Sequence, residues 1–351
     1  MAEKSPKDGL REIECKYHSP AFLALEWPKC DCMYRIDDKD NAGFCKRPEF
    51  YRCIKEVGKM PVPLSYSSVS NFLTCPMLYY LKDIRGISVR PSHTSSALKM
   101  GKLWDCAKQR LLGEDIDMGA VVEEYEINDM DIAKVRAINR AYKTLEIGVD
   151  PKFTLQAEFN NEIVADGIYE DMPLRIKTKG FYDRKYADHF CEDKLSSRPD
   201  NYLDPWFIQS QVGAYFLADP AMEYCIMEVV RTPDLRSTGK FKDEGPEGYE
   251  ERCYQDIISR PSFYFIGFDR EKKRYGKKYY RSEFDLDSIK DRFRIISVMI
   301  RDCQGFDGWY RSDRMCNNVL PGIQCDMKQV CRLNSMSEDI YTIKQRKELF
   351  I

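Results

Sequence analysis

The chain is 351 residues long, 43% hydrophobic and 32% charged, with a formal net charge of −2. That composition is ordinary for a globular protein large enough to bury a proper core, and no apolar run approaches the length of a membrane span. The 14 cysteines are too few for a disulfide scaffold of this length and too many to ignore.

The opening stretch MAEKSPKDGLREIE is charged and lacks an apolar h-region, so the sequence predicts no signal peptide and an intracellular protein, cytoplasmic (in the host cytoplasm if viral) and without membrane contact. Near-neutral charge does not identify a partner, because basic residues can cluster. Residues 1–60 carry Cys15, Cys30, Cys32, Cys45 and Cys53, several prolines and no sustained periodicity, as a small loop-rich module would. Cys30, Cys32, Cys45 and Cys53 are candidate zinc ligands, and a segment this poor in apolar pattern would gain its fold from the metal. Met60-Pro61-Val62-Pro63 reads as a junction to a main unit over 61–351.

From Ser65 the pattern is helical, with Val69, Phe72 and Leu73 on a stripe and an interruption at Pro76 beside Cys75. A second helix is predicted over about 95–112, with Ala97, Met100, Trp104, Ala107 and Leu111 on one face, and a third over about 129–147. The period then changes, and TLQAEFNNEIVADGIYED and LRIKTKGFYDRKYADHFCEDKLSS read as strands of a meander. Asp204-Pro205 starts a helix, with Asp as N-cap and Pro in the first turn. SFYFIGFDREKKRYGKKYYRSEFDLD reads as a long hairpin, and a helix follows at about 286–303. Helices, antiparallel strands, helix, strands and helix in this order predict an α/β or α+β fold, a mixed sheet flanked by helices. Cys106, Cys191, Cys225, Cys253 and Cys303 lie among apolar residues and read as small buried hydrophobes.

Chemistry concentrates in three short stretches. In Glu192-Asp193-Lys194, strand alternation sends Glu192 and Lys194 one way and Asp193 the other. Tyr186 to Asp188 can supply a turn that brings Asp183 near Glu192. Two carboxylates and a lysine on one face are expensive to desolvate without a metal or partner. A ladder of exposed opposite charges is the other reading of the spacing. Gln211 and Tyr215 add an i,i+4 pair on the following helix. Lys272, Lys273, Arg274, Lys277 and Lys278, with Tyr275 interleaved, are candidate DNA contacts at a hairpin tip, where cations neutralise phosphates and rings stack on bases.

Asp183…Glu192-x-Lys194 resembles the signature of the PD-(D/E)XK nuclease superfamily, whose fold is restriction-endonuclease-like. Gln211-x-x-x-Tyr215 resembles the extra helix motif of its RecB-like branch, which includes the AddB nuclease domain and the CRISPR-adaptation nucleases. The Ser65–Leu81 segment with Cys75-Pro76 is similar to the opening helix of these enzymes, and the motifs keep their order over about 270 residues. The resemblance implies a Mg²⁺- or Mn²⁺-dependent DNA nuclease, acting as an exonuclease and serving recombination, replication or phage-type DNA processing. It implies Asp183, Glu192 and the backbone carbonyl of Asp193 as metal ligands. Lys194 would activate water or stabilise developing charge, with Gln211 and Tyr215 supporting the site. Where the family places a histidine four residues after a glycine, this chain has Gly101 and Asp105, an oxygen donor suited to a hard metal. Glu158 is a further acidic candidate. The resemblance also implies a [4Fe-4S] cluster on Cys75, Cys316, Cys325 and Cys331. Their tail spacing is C-x8-C-x5-C, where relatives have C-x2-C-x5-C, and tetrahedral zinc is the chemical alternative. The rival function is a non-catalytic DNA-binding or assembly subunit that retains the fold, which the change at Asp105 motivates.

Overall fold

A computed structural model describes residues 63–165, 174–236, 238, 241, 243–305, 308–312, 316, 325–333 and 336–344. The candidate zinc ligands Cys30, Cys32, Cys45 and Cys53 lie outside the described residues. The first helix, α1 (Tyr66–Thr74), starts where Ser65 and Ser68 close a reciprocal capping box. Cys75 breaks it in extended conformation, and Pro76 opens a short helix α2 (Pro76–Tyr79) that runs on as a wide turn to Ile84. After β1 (Ile87–Val89), α3 (Ser96–Leu111) is capped by Ser95 and α5 (Asp129–Thr144) by Asn128. Between them lies α4 (Met118–Tyr125), capped by Asp117 and not foreseen from the periodicity.

The sheet is built from β2 (Thr154–Ala165), β3 (Leu174–Lys185), β4 (His189–Ser196), β5 (Tyr224–Arg231) and β6 (Lys277–Tyr280), in that order across the sheet. Its neighbours are antiparallel except β4 and β5, whose parallel pairing requires a crossover; α6 (Pro205–Ala218) supplies it. The fold is therefore α/β with a mixed five-stranded sheet. Strand β5 is a nearly continuous buried apolar run, which period-2 alternation does not reveal.

The predicted long hairpin over 262–287 does not form. Proline-led helices α7 (Pro246–Ser259) and α8 (Pro261–Tyr264) precede it, Phe265 makes only an isolated bridge to Val230, and Asp269 and Arg274 close a tight turn. Gly267 (φ 76°) and Gly276 (φ 115°) bend the chain there; a Cβ at Gly267 would meet the Gly276 carbonyl oxygen at 2.7 Å, and one at Gly276 would meet the Ile226 side chain at 2.8 Å. Only β6 is left as strand, followed by α9 (Leu286–Gly305).

Helices cover both faces. Trp104, Ala107, Ile138, Ile257 and Phe265 form one core between α3, α5, α7 and the sheet. Phe190, Val212, Phe216 and Val229 form another under α6, and Phe72, Tyr79, Ile289 and Phe293 a third where α1 meets α9. The buried stripe of α3 differs from the expected one: Leu103, Cys106 and Lys108 join Trp104 and Ala107, while Ala97 is exposed. Cys191, Cys225 and Cys253 are buried as expected, and Cys303 is half-buried. The tail returns through α10 (Lys328–Leu333) to β7 (Tyr341–Ile343), which pairs with β1. Among the described residues no helix is long and apolar enough to cross a membrane.

Candidate active site

The β3–β4 turn is closed by the Tyr186 N–H donating to the His189 carbonyl (2.8 Å). Only Arg184↔Cys191 and Lys185↔Phe190 pair in the ladder, and the next step of that register sets Asp183 opposite Glu192. There the main-chain pairing stops, and the Asp193 N–H instead donates to Asp183 Oδ2 (2.8 Å). Asp183 Oδ1 receives the Gln156 amide at 3.5 Å; Gln156 itself is held at φ 46°, a strained value for a non-glycine strand residue.

Glu192 is 2% exposed. Its Oε1 accepts from Lys194 Nζ and from Gln211 Nε2, both at 2.5 Å, as expected for side chains on one face of β4 opposite α6. Its Oε2 is buried with no hydrogen-bond partner. The Gln211 amide also donates to the Tyr215 hydroxyl (3.2 Å) one helical turn on, and the Tyr182 hydroxyl donates to the Tyr215 carbonyl (3.0 Å). Gln211 and Tyr215 thus brace Glu192 from below.

The electrostatics follow from burial. Glu192 is pushed up to about 8, by burial first and by the Asp183 charge second, against the pull of Lys194. Asp105 rises to about 7 by burial and the Asp183 charge, with Lys194 opposing. Asp183 is also raised, by burial and by Asp193. For Lys194, burial works against the charge, but Glu192 and Asp183 more than offset it and keep the ammonium above its usual range. Asp183, Glu192 and Lys194 therefore share a desolvated patch, and Asp105 on α3 lies within electrostatic reach of Asp183 and Lys194. Glu158 is exposed and receives the Asn160 amide instead (3.3 Å).

The sequence pattern missed what lies on the opposite side of Asp193. The Asp193 carboxylate receives Lys108 Nζ and Arg184 Nη2, each at 3.2 Å, and the same two cations reach Glu228 at 2.8 and 2.7 Å. Burial alone would raise the Asp193 carboxylate; Arg184 and Lys108 overcome it and hold the group well below its ordinary range. Lys108 also donates to the Tyr275 hydroxyl (2.8 Å). The one legible signal was a lysine inside the apolar stripe of α3.

That contact corrects the reading of Tyr275 as a DNA-stacking ring. It is 5% exposed and in edge-to-face contact with Tyr142 and Phe265, so the ring is buried in the core and not open to a base. Lys272, Lys273, Arg274, Lys277 and Lys278 remain exposed. Lys273 pairs with Glu146, Lys277 donates to the Leu203 carbonyl (3.2 Å), and Lys278 lies 3.3 Å over the Tyr224 ring.

The four cysteines of the proposed cluster come from both ends of the described fold. Cys75 sits at the α1–α2 break, where its Sγ accepts the Ser312 N–H (3.3 Å). Burial raises the Cys325 and Cys331 thiols, and both also feel the charges of Cys316 and Cys75. The tail is fastened to the opening helices by Lys82–Asp326 (2.5 Å), by the Met77 N–H to the Tyr310 carbonyl (3.1 Å) and by Tyr80 stacked on Trp309. No protein-family model matches the chain, and no curated protein matches it either.

Proposed function

We propose that the protein is a Mg²⁺- or Mn²⁺-dependent deoxyribonuclease of the RecB-like PD-(D/E)XK type, an exonuclease acting on DNA ends or single strands. The observation that carries this reading is the unpartnered Oε2 of Glu192, a fully buried carboxylate oxygen beside Lys194 and within electrostatic reach of Asp183. Such an atom costs free energy unless a cation completes its coordination. Asp183, Glu192 and the Asp193 carbonyl would hold the ion, with Asp105 available as a further oxygen donor; hard oxygen ligands suit Mg²⁺ or Mn²⁺. Among the described residues no three His, Cys, Asp or Glu side chains form a group that could hold a metal by themselves. The fit is therefore to two carboxylates completed by main chain, water and substrate phosphate, as is usual for Mg²⁺. When bound, the ion would supply Lewis acidity to the phosphate and acidify a water. Lys194, held as a cation by two carboxylates, would orient that water and steady the charge developing on phosphorus. The Gln211 amide and Lys194 both take Oε1 of Glu192 and leave Oε2 without a hydrogen-bond partner.

The same reading includes a [4Fe-4S] cluster on Cys75, Cys316, Cys325 and Cys331, clamping the tail to the opening helices. What supports it is that the Cys325 and Cys331 thiols both feel Cys316 and Cys75, so the four thiols, all free, lie within electrostatic reach of one another. The nuclease test is incubation of labelled single- and double-stranded DNA with purified protein, in Mn²⁺ and in chelator. Wild type degrades DNA only with Mn²⁺, and Lys194→Ala is slower by about 100-fold or more. Equal degradation by both proteins would remove Lys194 from the chemistry. DNA binding without any degradation would favour a non-catalytic subunit.

A further inference from the structure

Lys108, Arg184, Asp193 and Glu228 form a closed network in which each cation touches both carboxylates. All four are buried, with 1% of Arg184 and 2% of Lys108 exposed, and the charges cancel. Stability alone gives weak reason for such a network, because well-packed apolar side chains of similar volume hold elements together as well or better. Its placement along the chain is the informative part. Lys108 follows Asp105 by one turn of α3. Arg184 is the residue after Asp183 on β3, and Asp193 lies between Glu192 and Lys194 on β4. Glu228 is the register partner of Asp193 on β5. Every element that contributes a carboxylate to the candidate site contributes the adjoining residue, or one a turn away, to the network.

The backbone gives a reason for this. The β3–β4 ladder ends at Arg184↔Cys191, one step before Asp183 and Glu192. Beyond that step, strand pairing no longer sets the distance between β3 and β4. The Arg184 guanidinium takes over, reaching Asp193 on β4 (3.2 Å) and Glu228 on β5 (2.7 Å). Lys108 does the same for α3 (3.2 and 2.8 Å). Ion pairs with fixed donor directions set angle as well as distance, which apolar packing does less sharply. On the site side, one contact reads out the result: the Asp193 N–H on Asp183 Oδ2 at 2.8 Å.

We propose that this buried ion network is the positioning device of the carboxylate site: Arg184, Lys108 and Glu228 hold β3, β4 and the turn of α3 that carries Asp105 so that the Asp183 carboxylate meets the Asp193 main chain. The purpose assigned to it rests on the nuclease reading, whereas its action on the Asp193 amide does not.

The test compares Arg184→Met/Glu228→Gln with Ile257→Ala. The double variant removes one cation and one anion, so the remaining Lys108–Asp193 pair stays balanced. Ile257→Ala opens a core site under α7 without removing any charged group of the network, and controls for lost stability. Both are measured at a temperature where melting curves show them folded. The double variant is expected to bind Mn²⁺, titrated by electron paramagnetic resonance, about tenfold more weakly than wild type. Its Asp193 amide should exchange hydrogen about tenfold faster or more, while Ile257→Ala keeps wild-type values of both. Wild-type amide protection in the double variant, or an equal loss in Ile257→Ala, overturns the proposal. If wild type itself binds no Mn²⁺, the nuclease reading falls, and the Asp193 exchange rates alone decide the role of the network.

Discussion

Replacing Glu192 by glutamine separates charge from shape at the centre of the site. In the metal-free protein, burial and the Asp183 charge delay ionisation of Glu192 from its ordinary 4.5 to about 8. The unfolded chain loses this proton near pH 4.5, so between there and pH 8 the folded state holds the extra proton. Wild-type stability must fall as pH rises through that window. At 1.36 kcal/mol per pH unit, the loss by pH 8 is on the order of 4 kcal/mol. Glutamine does not titrate, and its oxygen can still accept from Lys194 and Gln211. In chelator, therefore, Glu192→Gln and wild type should melt together at pH 4. At pH 8 the variant should be the more stable by about 4 kcal/mol, roughly 5 °C in melting temperature for a chain of this size. Adding Mn²⁺ at pH 8 should then raise the melting temperature of wild type, by mass action on the folded state, and leave the variant unmoved. Calorimetric scans at the two pH values, with and without Mn²⁺, measure all of this. Coincident melting at pH 8 in chelator would refute the claim that Glu192 is held against its charge. An equal response to Mn²⁺ would refute its role as a ligand.

Lys108→Met leaves Asp193 and Glu228 sharing Arg184 in the interior and should cost about 3–5 kcal/mol in urea denaturation; adding Glu228→Gln should recover most of it, and a single variant as stable as wild type would contradict the network. Protein purified without oxygen should be brown and contain iron, and Cys75→Ser should lose the colour; colourless protein with stoichiometric zinc would sink the cluster. In the basic turn and on β6, Lys272→Ala/Lys278→Ala should reduce the slope of log binding constant against log salt by about 1–2 on duplex DNA. Tyr275→Phe should leave DNA affinity unchanged and cost about 1 kcal/mol of stability through the lost Lys108 hydrogen bond; a large affinity loss would return Tyr275 to the DNA interface.

The β3–turn–β4 unit was legible because its information is local. Alternation placed Glu192 with Lys194, the turn at 186–188 closed as expected, and Asp193 pointed away. Helix starts at Ser65 and Pro205 were legible for the same reason, since capping involves residues three or four apart. The 262–287 hairpin failed because alternating aromatics there are shared between a helix turn, a glycine-bent loop and one short strand. Tyr275 looked like a surface ring only because its neighbours in sequence are cations; its neighbours in space are Lys108, Tyr142 and Phe265.

By itself, then, the sequence determined the α/β class, the hairpin and the reactive types placed along it, because periodicity and turn chemistry act within a few residues of chain. Tertiary structure decided which of those groups meet. Asp105 and Lys108 reach β4 from a helix about 85 residues earlier, and Cys75 is brought to the tail from the first helix. It also decided how the groups are charged: the raised Glu192 and Asp105 and the lowered Asp193 are products of burial and of partners distant in sequence, since desolvation belongs to a position in the fold and not to a residue type.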